Sequence, residues 1–354
     1  MKINTWIAAA MILVGSFEIS YADTAISPAC SRQSAPIDLP IDAPPAKKNI
    51  ESDASTNVAK AALRLVYSIE NGLPDPYLAV TGNFDGQGLS LGLIQFNFGG
   101  SAQKVFSKIP YEVYSRTMPK FGDSFYKAVH ASSTSSSIQL LTGMQTGNGR
   151  VWRVNKDAKS ELEEFLGSPD VRSAQDQAVA VEYQAAYSRA YQWAVARGSK
   201  NPSPREIATF MDNQVFSGGA LGGIWIEQAK AFRVSFDNDG KMIAFVSQWL
   251  LSCPYTGPDL LWGREDAQHN AEAWTKAFPL GSKLSDERAL LFAFGFLRAL
   301  TANGPPTQKG QPEQHGIFKA QVVERRGLIA LGAGTANGIK WPGGILDQDL
   351  ERVK

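Results

Sequence analysis

Cysteine and histidine are both scarce in this 354-residue chain: two cysteines, Cys30 and Cys253, and three histidines, His130, His269 and His315. The histidines stand far apart and no Cys/His cluster accompanies them. A zinc site or a His-centred nucleophilic triad therefore has little basis, and no metal or cofactor is called for. Charge of one sign is lacking too, with 35 Lys and Arg against 34 Asp and Glu. Nucleic-acid binding draws on a basic excess that is absent here, and a strongly cationic ligand would favour an acidic groove. Beyond the N-terminus, no apolar run approaches the roughly 20 residues that span a bilayer.

What the chain does have is apolar matter, 44% hydrophobic and 10% aromatic residues, enough for one large core or two lobes. The first 22 residues read as an export signal: Lys2, an apolar run from Trp6 to Phe17, and the small-x-small site Ser20-Tyr21-Ala22. An uncleaved N-terminal anchor is the alternative. With the signal removed, the expectation is an exported protein, periplasmic or extracellular. Residues 23–52, with Pro28, Pro36, Pro40, Pro44 and Pro45, read as an extended tether. A folded domain is expected over 53–345 and a short tail over 346–354. In an oxidising compartment Cys30 and Cys253 permit one disulfide stapling the tether to the body; two unpaired thiols fit the count as well.

From Ser55 helical periodicity takes over. Val58, Ala61, Ala62, Leu65, Val66 and Ile69 recur at three- and four-residue steps, and Asn71-Gly72 with Pro74 marks the end of that helix. Glu70 sits on its last turn. A strand-like run Tyr77–Thr81 leads into a glycine-rich turn over 82–88, then an apolar stretch Leu89–Phe98 reads as a small hairpin or irregular sheet. Helices are expected over 174–196, from Pro204 through Val215 to Gly218-Gly219, over 290–300 after Ser285-Asp286-Glu287, and over 321–332. The Ser-rich patch 132–137 reads as a solvated loop. Asp237-Asn238-Asp239-Gly240 resembles half of a calcium loop without its distal acid, and a tight turn is the better reading. The expected class is mainly α with a small β-hairpin or sheet.

Two acidic residues stand in contrasting addresses. Glu70 ends an apolar helix, where desolvation and the negative end of the helix dipole keep a carboxyl protonated. Asp85 lies in a polar, Gly-rich turn that favours the carboxylate. Glycosidic bond cleavage needs such a division, one group giving a proton and the other ionised. Gly86, Gly88 and Gly92 clear side chains from around Asp85, so that a polymer can approach the backbone. The Ser90 hydroxyl is placed to hold a water. Gln95 and Asn97 alternate with Ile94 and Phe96, as on a strand with one face lining a wet cleft, and Tyr77 and Phe84 add candidate sugar-contacting rings.

The segment Glu70-Asn71-Gly72 followed by Asp85-Gly86-Gln87-Gly88-Leu89-Ser90-Leu91-Gly92-Leu93-Ile94-Gln95-Phe96 resembles the active-site region of the family 46 chitosanases, members of the lysozyme superfamily. The resemblance implies a two-lobed fold with a cleft between lobes, Glu70 as general acid, Asp85 as general base, and Ser90 in the place of the family's water-positioning Thr. Two further stretches are similar to that family: Phe210–Gly218, carrying Asp212, and Val323–Ile329, carrying Arg325 and Arg326. They imply an ionic network of Asp212 with Arg325 or Arg326 behind the active site.

The leading expectation is a hydrolase of a β-1,4-linked amino-sugar polymer. Near-neutral charge sets peptidoglycan ahead of chitosan. A lytic transglycosylase using Glu70 alone, and a non-catalytic glycan-binding module, are the alternatives. The partner is a polysaccharide; sequence says nothing of a protein inhibitor. Inverting hydrolysis expects the two carboxyls roughly 6.5–9.5 Å apart across an open groove. If Glu70 is buried against a Lys or Arg with no groove beside it, the enzyme reading fails.

Overall fold

The computed structural model describes residues 57–71, 75–83, 86–148, 151–253, 261–302, 315–336 and 338–341. The stretches read as a signal, a tether and a tail lie outside these. Thirteen α-helices are found among the described residues, together with three small antiparallel sheets. Mainly α with a little β is the class expected. No described helix is long and apolar enough to cross a membrane.

Helix α1 (Asn57–Asn71) buries Ala59, Ala62, Leu65, Val66 and Ile69, the face its sequence period lays out. Asp75 caps a 3₁₀ turn at Pro76–Leu78, so the strand expected from Tyr77 starts only at Val80. Strands β1 (Val80–Thr81), β2 (Ser90–Leu91) and β3 (Phe96–Asn97) pair in that order, with Ser90 opposite Thr81 on one side and Asn97 on the other. Five short elements follow: α2 (Ala102–Phe106), α3 (Tyr111–Thr117), α4 (Gly122–Val129), α5 (Thr134–Leu140) and the hairpin β4 (Gln145–Asn148) and β5 (Val151–Val154). Residues 134–137 of the Ser-rich patch are thus helical rather than part of a loop. Ser133 supplies the N-cap, accepting from Ser136 N, and Ser137 is buried with its hydroxyl on Ala128 O at 2.8 Å.

Helices α6 (Lys156–Gly167) and α7 (Pro169–Arg197) come next; at ~1.5 Å per residue the 29-residue α7 runs for about 43 Å. It joins two aromatic clusters. Toward its N-terminal end Phe106, Tyr114, Phe125 and Phe165 pack at 4.7–6.5 Å between centroids. Toward its C-terminal end Trp193 meets Phe210, Trp225 and Phe294 at 5.4–5.6 Å. Half of these pairs set a ring edge against a ring face, the arrangement the quadrupole favours.

The second half is helical: α8 (Pro204–Ser217), α9 (Ile226–Val234), α10 (Asp239–Leu251), α11 (Leu261–Ala277), α12 (Asp286–Leu300) and α13 (His315–Leu331), closed by the hairpin β6 (Gly334–Ala336) and β7 (Ile339–Trp341). Helix α8 opens on a capping box, Ser203 with Glu206, and stops at Gly218 in the left-handed region. Asn238, in the calcium-like stretch, caps α10, and Asp239 is held by Arg233 at 2.7 Å. Cys253, just past α10, is disulfide-bonded; Cys30, the other cysteine, lies outside the described residues.

Helices α12 and α13 approach closely at Gly295, whose missing side chain leaves room for the Cβ of Arg326. A Cβ placed on Gly295 would stand 2.8 Å from the Cβ of Arg326. Gly295→Ala should therefore destabilise the protein by about 1–3 kcal/mol, as overpacking does, measured by urea unfolding. Gly100→Ala, where a Cβ meets nothing within 4 Å, is the control and should change stability little.

Candidate active site

Glu70 occupies the penultimate position of α1, beside the buried Ile69. The face that buries Ile69 lies against α8, and this carries the Glu70 carboxyl inward, leaving its side chain 9% exposed. There it meets α13. Arg325 Nη2 donates to Glu70 Oε1, while Arg325 Nε donates to Asp212 Oδ1 at 2.8 Å. The other oxygen of Asp212 accepts from Arg326 Nε at 3.2 Å, and Arg326 Nη2 donates to Ser217 Oγ at 2.8 Å. One carboxylate from α8 thus bridges two consecutive arginines of α13, and one of those arginines carries on to Glu70. The Arg325 guanidinium also lies over the Phe216 ring, 4.4 Å from its centroid, and Phe216 stacks on Phe318.

The electrostatics follow from burial. Desolvation raises the Glu70 pKa above the ordinary carboxylate range; Arg325 pulls it down, Asp212 pushes it up, and the raised value stands. Burial works against the Arg325 charge, but Asp212 and Glu70 outweigh it, so its guanidinium stays protonated. Burial pushes Arg326 down to about 10. The Glu70 carboxyl thus keeps its proton to higher pH than an ordinary carboxyl does, beside the Arg325 guanidinium.

Asp85 and Phe84 lie outside the described residues, as does the Glu70–Asp85 separation. The flanks of their loop are held from two directions. Asn83 N donates to Gln145 Oε1 at 2.8 Å, and Gly88 N donates to Asn83 Oδ1 at 3.1 Å. Beyond the loop, Gln175 of α7, fully buried, accepts from Leu93 N at 3.0 Å. Gly92 leaves room for that side chain: its φ is +71°, and a Cβ there would fall 2.1 Å from Gln175 Oε1.

Ser90 is on the central strand with 3% exposure. Asn97 is half-buried on β3, with Oδ1 accepting from Gly99 N at 3.1 Å. Gln95 is not on a strand as expected. The chain reverses over Gly92–Gln95, Gln95 N donates to Gly92 O at 3.1 Å, and Gln95 takes a φ of +54°. That left-handed conformation costs a non-glycine residue about 1 kcal/mol or more. Tyr77 is bound into a polar cluster. Its hydroxyl donates to Asp176 at 2.5 Å, Arg172 lies 4.6 Å over its ring, and Arg172 pairs with Asp75 at 2.5 Å. Tyr67, one turn before Glu70 on α1, has its hydroxyl raised by burial and by the nearby Tyr77 and Asp176.

Of the residues read from sequence, the structure brings together Glu70, Asp212, Arg325 and Arg326. Sequence reading missed Gln145, Gln175, Phe216 and Ser217. The last two lie inside the stretch Phe210–Gly218 that drew attention to Asp212; the two glutamines carry no sequence signal. No protein-family model matches this chain, and no curated protein matches it.

Asp212→Asn removes the carboxylate that two buried arginines share, and should cost about 3–5 kcal/mol of stability, read by chemical denaturation. Glu70 gives a pH signature. The folded chain holds its proton more tightly than the unfolded chain. Its contribution to stability is therefore complete below the ordinary carboxyl pKa of about 4.3 and fades as pH rises through the raised value. Relative to Glu70→Gln, the wild-type unfolding free energy should fall over that interval.

Proposed function

We propose that the chain is an exported glycoside hydrolase cleaving a β-1,4-linked amino-sugar polymer, peptidoglycan ahead of chitosan, with Glu70 as proton donor. The carrying observation is the Glu70 carboxyl, desolvated at the end of α1 and hydrogen-bonded to an arginine that Asp212 holds in place. The two aromatic clusters at opposite ends of α7 support a reading as two lobes with the cleft between them. Glu70 gives its proton to the leaving glycosidic oxygen, and Arg325 stabilises the carboxylate that results. Asp85, on the loop flanked by Asn83 and Gly88, takes the proton of the attacking water, and the anomeric carbon inverts.

One observation favours a second reading. The same Arg325 contact makes Glu70 a member of an internal ionic network, as in a non-catalytic glycan-binding module that keeps the pair for stability alone. Incubating the mature protein with purified peptidoglycan and with chitosan, followed by product analysis, separates the readings. Soluble fragments from peptidoglycan support the first, and fragments from chitosan alone reassign the polymer. Anhydro ends on the products point to transglycosylation by Glu70 without Asp85, and binding without fragments supports the module.

Glu70→Gln should lower the cleavage rate by about 100- to 10,000-fold while binding is retained; full activity in that variant overturns the role of Glu70. In the wild type the rate should decline on the alkaline side as Glu70 loses its proton, at a pH above the ordinary carboxyl range. A pH–rate profile of kcat/KM checks this.

A further inference from the structure

Behind the Glu70 network, two further arginine donors lie among the described residues without a carboxylate of their own. Arg298, on α12 one turn past Gly295, is 5% exposed, and burial lowers its pKa. Its Nε donates to Ala220 O at 2.6 Å and its Nη1 to Thr301 Oγ1 at 3.4 Å; among the described residues it has no carboxylate partner. Arg326, on α13, is fully buried, and its Nη1 has no hydrogen-bond partner. The two guanidinium groups reach the same short segment, Arg326 to Ser217 Oγ and Arg298 to Ala220 O, and the Arg298 charge helps lower the Arg326 pKa. The charged groups facing Arg326 are Asp212 from α8, Arg325 from its own helix and Arg298 from α12. Among the described residues, the carboxylates paired with Arg325 and Arg326 are Asp212 and Glu70, and Arg298 has none.

A buried donor left unmade on a cation is costly, and an unbalanced buried charge more so. We propose that a small inorganic anion of halide size binds between Arg326 Nη1 and Arg298, against the segment 217–222. One negative charge restores balance with Glu70 ionised. A tetrahedral oxyanion calls for a ring of donors, whereas the free donor here is one fully buried nitrogen with a second guanidinium beside it. A polymer carboxylate brings a sugar chain that cannot follow it to a nitrogen with no exposed surface, whereas a monatomic ion brings nothing behind it. The site stands apart from the proposed sugar chemistry and does not depend on it, although an anion there adds to the negative potential that keeps Glu70 protonated.

Two measurements on the full mature chain test this without any sugar substrate. Crystals equilibrated in sodium bromide should show an anomalous bromide peak within hydrogen-bonding distance of Arg326 Nη1. Its absence, or density there without anomalous signal, as a water would give, overturns the proposal. In solution, replacing gluconate by chloride at constant ionic strength should raise the melting temperature by about 2–4 °C. Arg298→Gln should abolish that rise while still unfolding cooperatively. An equal rise in the variant, or none in the wild type, counts against the site. Should Arg298→Gln fail to fold, the bromide experiment on the wild type decides alone.

Discussion

Asp212 is the residue on which three helices agree. It projects from the middle of α8 with no exposed surface, one oxygen toward Arg325 and the other toward Arg326. Taking an isolated carboxylate or guanidinium out of water costs several kcal/mol even after relaxation, so neither arginine is stable in this interior without it. The pairing ties α8 to α13, and through Arg325 it reaches the end of α1. The same contact fixes the direction in which the Arg325 guanidinium faces Glu70. Packing of the α1 apolar stripe against α8 then brings the Glu70 carboxyl to that guanidinium.

The segment carrying Asp85 is governed by a different kind of constraint. Its flanks are held by neutral side-chain amides: Gln145 from β4 takes the Asn83 amide, and Gln175 from α7 takes the amide of Leu93. Such bonds contribute about 1 kcal/mol each in net terms, yet leaving a buried backbone amide unmade costs more. They act by excluding other loop paths. The β1–β3 sheet has strands of two residues each, too short to hold the turns between them by strand pairing alone. Contacts from α7 and β4 supply the rest.

Much of this was legible beforehand. The helix ending at Glu70, the helix from Pro204 to Gly218, and the helices after Ser285 and across Arg325 follow from apolar period, N-caps and C-terminal glycine, all of which act within a few residues. The Ser-rich patch reads as a loop from sequence because serine favours both loops and helix N-caps, and only burial of Ser137 against Ala128 selects the helix. Gln95 was misread because alternation of burial also persists through a tight reversal. Half-buried Gln95 and Asn97 do flank buried Phe96, but the first sits in a turn.

The sequence by itself determined the helices that end at Glu70-Asn71, cover 174–196, run from Pro204 to Gly218 and follow Ser285 and Gln321, and which acids and arginines had reason to be internal. It named Asp212 with Arg325 or Arg326 without choosing between the arginines, and it had no means of choosing. Consecutive helical residues point about 100° apart, so the one that meets α1 depends on how α13 is rotated about its axis. That rotation is set where α12 presses Gly295 onto Arg326 and where Trp274 of α11 lies over Gly327. Those are contacts between segments distant in the chain, and only the tertiary structure decides them: Arg325 turns to Glu70, and Arg326 turns to Ser217 and the neighbouring Arg298.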